Sequence, residues 1–154
     1  MRLVRRTRTR LLFQLGKRDA GWLLTILKLY PRVPPAHHVL SRAGNVPDKD
    51  DNQRLLNEAL AEQRNENKRH LLALLADPRR FTHNEAGARL SLPLAEVEWM
   101  MQVLNDIRVG SWLVLGAPET GRPELNETTA PDLFAMEVAG YFQAQLLEAV
   151  HGEA

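Results

Sequence analysis

Hydrophobic and polar positions alternate from Leu3 to Leu15, and this period of two predicts a β-strand. Threonine and phenylalanine within the segment favour the same structure. A hairpin bent near residues 7–9 is the alternative, and it is the less favoured one because no Gly or Asn marks a tight turn there. Gly16 ends the segment. The N-terminal region is therefore predicted to be a short β-strand or a hairpin.

Apolar residues then recur three and four positions apart, which is typical of amphipathic helices. The first predicted helix begins near Ala20, is capped by Asp19 and stops before Pro31. The second starts at Asp50 and Asp51 and continues for about 25 residues. Its middle, residues 63–70, has no apolar side chain, so two helices that meet there are the alternative.

Two further helices complete the pattern. One begins with Pro93 in its first turn, and the last runs to about Val150 after a cap at Thr129. Residues 79–92 are short and mixed. The sequence thus predicts a mainly α fold in a single domain, residues 1–154, of about four packed helices with a short N-terminal β-strand or hairpin. The predicted segments are 3–15 (strand or hairpin), 31–49 (proline-rich loop) and 116–129 (loop).

Composition limits the class of protein. The chain has 154 residues, 44% of them hydrophobic and 25% charged, which is typical of one globular domain. It has no cysteine, which excludes disulfides and thiolate metal sites and favours a cytoplasmic location. No apolar run reaches the length of a membrane span, and the N-terminus does not resemble a signal peptide.

The net charge of +1 conceals an uneven distribution. Residues 1–18 contain seven arginine and lysine residues but no acid, whereas residues 117–154 contain seven acids and one base, Arg122. Mutual neutralisation of the two ends is the favoured interpretation, and an anionic partner is the alternative. Arg6, Arg8 and Arg10 are predicted to share one strand face, where they either protect a strand edge or hold phosphates.

The apolar segment EVEWMMQVLNDIRVGSWLVLG is interrupted by polar residues. On a helix, Met101, Asn105, Arg108 and Trp112 form one ridge beside the buried stripe. We expect Asn105 and Arg108 to be half-buried and to form an internal latch, with Asp106 turned outward and Arg108 paired to a carboxylate or to loop carbonyls. The alternative is a binding site formed by Asn105, Asp106, Arg108 and Trp112.

The same string resembles the signature of a bacterial family of unknown function, in which an aromatic-bearing helix runs into Leu-Asn-Asp-Leu-Arg. Leu104, Asn105, Asp106 and Arg108 occupy the positions of that motif, and Ile107 replaces the usual leucine. The family resemblance also implies a basic strand followed by a leucine-rich helix. In actinobacteria the gene often lies beside that of the Clp protease adaptor, which makes the Clp adaptor–protease system a candidate partner. The resemblance implies no activity.

Residues 84–107 also resemble a degenerate helix-turn-helix, with residues 90–93 and Val97 at suitable spacing. The second helix would begin Pro93-Leu94-Ala95-Glu96, which lacks the side chains that read base edges. We therefore expect binding to duplex DNA to be no tighter than the micromolar, non-specific range.

Motifs for catalysis are lacking in the sequence. No two histidines have the spacing of a helical metal site, and there is neither a glycine-rich phosphate loop nor a nucleophile motif. We expect no metal and no cofactor, and an enzyme is disfavoured. The leading hypothesis is a cytoplasmic, non-enzymatic module that binds another protein. The alternative is a DNA-binding regulator that uses residues 84–107. A homodimer is compatible with both.

Overall fold

A computed structural model describes residues 1–34 and 49–152, with only the backbone of residue 49. Four strands and four helices lie within these ranges. The strands are β1 (Arg2–Arg6), β2 (Arg10–Gly16), β3 (Phe81–Asn84) and β4 (Gly87–Pro93). The helices are α1 (Lys17–Leu27), α2 (Lys49–Ala76), α3 (Leu94–Val114) and α4 (Ala130–His151).

The four strands form one antiparallel sheet in the order β1-β2-β4-β3. Two hairpins, β1–β2 and β3–β4, are joined side by side through β2 and β4. The prediction of a mainly α fold was wrong, because the second hairpin makes this an α+β fold with four helices on a four-stranded sheet. Strand β4 of that second hairpin buries Ala88, Leu90 and Leu92 on one face, which is the alternation of a half-buried strand.

At the N-terminus the less favoured alternative is the observed one, a hairpin that turns at residues 7–9. Its turn contains threonine in place of Gly or Asn. The Thr7 hydroxyl accepts a hydrogen bond from the Thr9 amide and donates one to the Arg10 carbonyl, both at 3.3 Å. The Thr7 hydroxyl therefore supports this turn beside the main-chain hydrogen bond from the Thr7 amide to the Arg10 carbonyl, and no Gly or Asn is needed.

One face of the sheet packs against α1, α3 and α4 to form the hydrophobic core. Leu11, Phe13 and Leu15 of β2 are at most 1% exposed and lie on this covered face. The helices contribute the remaining core side chains, among them Ile26, Leu104, Ile107 and Phe142. Burial of this apolar area is the main source of stability, since each fully buried large side chain contributes about 1.5–3 kcal/mol.

Helix α2 is continuous over 28 residues, as predicted for one helix through residues 63–70. Only Leu71 and Leu74 are buried, so α2 joins the core by its last turns. Asn67 donates to the Tyr30 hydroxyl at 3.1 Å, and Lys68 donates to the Tyr30 carbonyl at 3.0 Å. Of the predicted proline-rich loop, residues 35–48 lie outside the described residues. Within the described ranges, no helix combines the length and apolar character that crossing a bilayer requires.

The predicted ends of the helices agree with the structure in most places. Helix α4 spans Ala130–His151, close to the prediction, although the Thr129 hydroxyl donates to the Glu124 carbonyl and does not cap the helix. Helix α3 is continuous through Gly110. Helix α1 begins earlier than predicted, at Lys17, and Asp19 does not cap it. Asp19 lies in the first turn of α1, where its carboxylate pairs with the α-ammonium group of Met1.

Candidate functional site

The face of the sheet opposite the helices is open among the described residues, and it is rich in arginine. Residues paired across antiparallel strands share a face. Arg2 is opposite Gln14, Gln14 is opposite Arg89, and Arg89 is opposite Thr82, so these four form one row across the sheet. Arg5 lies in the next row. The exposed residues Arg2, Arg5, Arg10 and Arg89 together form the arginine face.

A β-bulge in β1 brings two of these side chains together. The register shifts between Leu3 and Arg5, so Arg2 and Arg5 lie on the same face although they are three positions apart. Arg6 is consequently opposite Leu11 and points to the helix side. There it donates to the carbonyls of Ala149 and Gly152, both at 3.2 Å, where a cation is favoured by the C-terminal end of α4.

The predicted row of Arg6, Arg8 and Arg10 is therefore wrong. Arg6 binds α4 on the covered side, Arg8 lies in the hairpin turn, and only Arg10 belongs to the arginine face. The bulge and the turn both break the strict period of two on which the prediction depended.

The arginine face has no neutralising partner on its own sheet. None of the four strands contains Asp or Glu. Arg10 donates to the Ser91 hydroxyl at 3.0 Å, and among the described residues none of the four arginines forms an ion pair. Four like charges on one exposed surface produce a positive potential that attracts anions.

A shallow groove of about 190 Å³ extends this surface beyond the edge of the sheet. It is lined by Leu12, Pro78, Arg79, Arg80, Thr82, Arg89 and Ser91. Hydrogen bonds from Arg79 lower the pKa of Asp77, so that pair is neutralised. Arg80 pairs with Glu96, and its Nε–H is buried without an acceptor among the described residues. Because that atom is shielded from solvent, Arg89 is, within the described ranges, the unpaired cation that the groove presents.

The second hairpin also rules out the predicted helix-turn-helix. Residues 84–93 would have to include its first helix, but they form the end of β3, a turn and β4. Only the second helix of the supposed pair, α3, exists. The Asn84 side chain accepts a hydrogen bond from the Ala86 amide at 2.9 Å and stabilises the turn between the strands.

Helix α3 contains the apolar segment with polar interruptions, and the residue of that segment that forms the latch is Asp106. Its carboxylate accepts hydrogen bonds from the amides of Arg32 at 2.6 Å and Val33 at 3.3 Å. Asn105 is exposed, and its side chain forms no hydrogen bond with the described residues. Arg108 is also exposed, and within the described ranges its side chain bonds only that of Gln143, at 3.4 Å. The expectation of a latch at Asn105 and Arg108, with Asp106 turned outward, was therefore wrong about which residue is inward.

The segment that Asp106 holds, Pro31–Val33, is named the strap. The strap crosses α3 at Gly110, and an added β-carbon there would lie 2.7 Å from the Arg32 β-carbon. The Arg32 guanidinium forms an ion pair with Asp132 at the start of α4. The strap is therefore held by both α3 and α4. Trp112, the last residue of the predicted ridge, instead donates to the Pro118 carbonyl at 3.2 Å. The binding role predicted for Asn105, Asp106, Arg108 and Trp112 stays a prediction.

A second polar cluster lies on the covered side. The α-ammonium group of Met1 forms an ion pair with Asp19 and a hydrogen bond of 2.9 Å with the Tyr141 hydroxyl. Tyr141 also donates to Asp19 at 3.0 Å. Burial by itself raises the pKa of Asp19, but the two hydrogen bonds and the nearby positive charges outweigh it and hold the pKa below 3.8. No such long-range contact could be inferred from sequence spacing.

Comparison with known proteins gives no relative. No protein-family model matches the chain, and no curated protein or solved structure is significantly similar to it. Within the described ranges, no group of three or more His, Asp and Glu side chains is placed to hold a metal ion. The arginine face is thus the surface whose chemistry most clearly suggests a binding role.

Proposed function

We propose that this protein is a non-enzymatic binding module that holds an anionic macromolecule on the arginine face. The observation that carries the proposal is the placement of Arg2, Arg5, Arg10 and Arg89 on the sheet face opposite the helices. Guanidinium groups form strong, paired hydrogen bonds with carboxylates and phosphates. An exposed set of them without carboxylates of its own is therefore suited to an anionic surface.

Both sequence hypotheses concerned binding, because the sequence lacks the motifs of catalysis. The arginine face supports the proposal because an exposed, positively charged surface is suited to binding an anionic partner. The Clp adaptor–protease system is a candidate partner on the family resemblance alone. Calorimetric titration of the purified Clp adaptor with the full chain tests that link directly, and the absence of a binding heat at several temperatures would count against it.

Retention on a heparin column tests whether the arginine face binds anions. The test protein carries Arg5→Gln and Arg89→Gln, which remove two charges from the face. The control carries Arg54→Gln and Arg69→Gln, which remove two exposed charges from α2. Both have the same net charge, and thermal melts verify that each is folded.

We expect the face variant to elute at clearly lower salt than the parent protein, because its anion contacts are reduced. The α2 variant is expected to elute close to the parent. Equal shifts in the two variants would mean that net charge alone governs retention, and the proposal would then be wrong.

A further inference from the structure

We infer that the anionic partner is a nucleic-acid duplex, held through its phosphate backbone without sequence readout. This inference rests on the proposed function of the arginine face and narrows the class of partner. Three properties of the face support it: the kind of donors it presents, its few apolar side chains, and the covered position of its strands' aromatic rings.

The donors on the face suit phosphate oxygens. Gln14 and Thr82 lie in the same row as Arg2 and Arg89, and Ser91 lies beside Arg10. Arginine together with Ser, Thr and Gln is the set of side chains that commonly contacts nucleic-acid backbones. Side chains two apart on a strand are about 6.6 Å apart, and neighbouring strands about 4.8 Å, so the donors cover an area and not a single point. A surface of repeated charges matches such an array better than one small anion does.

The groove at the edge of β3 gives this array a shallow recess. Thr82, Arg89 and Ser91 line it together with Arg79 and Arg80. Arg79 and Arg80 are paired with Asp77 and Glu96, so Arg89 is the unpaired cation among these three arginines in the described part of the chain. A backbone phosphate in the recess would lie beside Arg89 and the two hydroxyl groups.

An acidic protein surface fits the face less well. Stable protein interfaces depend on a few apolar or aromatic anchors at their centre. On the outer side of the paired strands β2 and β4, the large apolar side chain is Leu12, which is only partly exposed and lies between Arg5 and Ser91. Val4, the extra residue in the bulge of β1, is 52% exposed beside Arg5. The face therefore offers mainly charge and hydrogen bonds, with two aliphatic side chains and no aromatic anchor.

A single strand also fits less well than a duplex. Proteins that hold single strands stack bases on exposed aromatic rings. The strand phenylalanines, Phe13 and Phe81, are at most 6% exposed and lie on the covered side. His83, which stacks on Phe81 with ring centroids 6.4 Å apart, is opposite Ala88 and hence on that side as well. The arginine face can therefore bind a backbone, but these strands give it no aromatic ring on which unpaired bases would stack.

Fluorescence anisotropy with the full chain tests the inference. The probes are two labelled 20-base-pair duplexes of unrelated sequence, one single strand of the same length, and a labelled polyglutamate peptide. About four phosphate contacts predict that log K falls with log salt at a slope near −3.6, which is about a hundredfold loss between 50 and 200 mM salt. We expect both duplexes to bind equally, at about micromolar affinity.

The variants used on heparin sharpen the test. Arg5→Gln with Arg89→Gln should halve the salt slope, so that the same change in salt costs only about tenfold in affinity. Arg54→Gln with Arg69→Gln should leave the slope unchanged.

Binding of polyglutamate without binding of either duplex would overturn the inference and leave the anion-binding function in place. Tighter binding of the single strand than of the duplexes would also overturn it. If no polyanion binds, the proposed function itself is wrong.

Discussion

Gly110 lies directly beneath Arg32, so close that a β-carbon added to the glycine would be 2.7 Å from the β-carbon of the arginine. The strap can cross α3 only because this helical position has no side chain. Glycine lowers intrinsic helix stability by about 1 kcal/mol relative to alanine. Here that loss is offset by the contacts that the close approach allows, including the ion pair between Arg32 and Asp132.

Replacement of this glycine should therefore destabilise the protein although alanine is the better helix former. We expect Gly110→Ala to lower the free energy of unfolding by about 1–3 kcal/mol, the range for overpacking a tight contact. Gly21→Ala in α1 is the matched control, since nothing lies within 4 Å of its added β-carbon. That variant should be stabilised by about 0.5–1 kcal/mol. Urea unfolding of both decides the matter, and a stabilised Gly110→Ala would contradict the close crossing.

Truncation of Asp106 should lower the stability of the protein much more than truncation of its neighbour Asn105. Asp106→Ala leaves the amides of Arg32 and Val33 without their acceptor, and we expect a loss of about 2 kcal/mol. Asn105→Ala, at an exposed position, should change stability by less than about 0.5 kcal/mol. Chemical denaturation midpoints of the two variants give the comparison. Equal effects would show that Asp106 does not hold the strap.

Two arginines near α4 provide a similar contrast. Arg32→Ala leaves the buried carboxylate of Asp132 without its partner and should cost about 3 kcal/mol. Arg108→Ala removes a long contact to Gln143 and a guanidinium group that lies beside Gly140, and should cost less than about 1 kcal/mol. Thermal melts of the two variants measure the losses. A larger loss of stability for Arg108→Ala than for Arg32→Ala would show that Arg108 is the residue that latches the fold.

Acid should weaken the cluster of Met1, Asp19 and Tyr141. The pKa of Asp19 is lower in the folded chain than its ordinary value of 3.8, so the carboxylate stabilises the fold above about pH 4. That contribution is lost as the pH falls through the folded pKa, because the unfolded chain then binds the proton more readily.

Asp19→Asn isolates this effect. At pH 7 the variant should be less stable than the parent by about 2 kcal/mol, and the difference should shrink towards pH 2. The measurement is a series of urea midpoints across that range. A difference that stays constant with pH would mean that Asp19 contributes by packing and not by its charge.

Local signals in the sequence were enough to place most helices. The apolar spacing and the proline near its start locate α4, and the lack of Gly and Pro in residues 63–70 indicates that α2 is continuous. Periodicity also located the N-terminal strand. These features depend on neighbouring residues in the chain, which is why they could be predicted.

The parts that were missed depend on contacts between distant segments or on broken periods. Strand β4 has an alternation at Ala88, Leu90 and Leu92, but it is short, and the same residues also resemble a helical corner. Asp106 faces inward because the strap lies there, and helical periodicity alone does not reveal the position of the strap. The four arginines of the arginine face come from three strands, and a bulge sets the register of one of them.

The pairing of β2 with β4 has a consequence for how this protein folds. Residues 10–16 must pair with residues 87–93, which lie about half the chain length away. This pairing closes a long loop before either hairpin gains a covered side. Such non-local contacts raise the relative contact order and slow folding compared with a helical bundle of the same size. Arg10 and Arg89 come together only in this step. A partly folded chain, or a fragment that ends before β4, therefore presents no joined arginine surface, and anion binding by that surface becomes a report on completed folding.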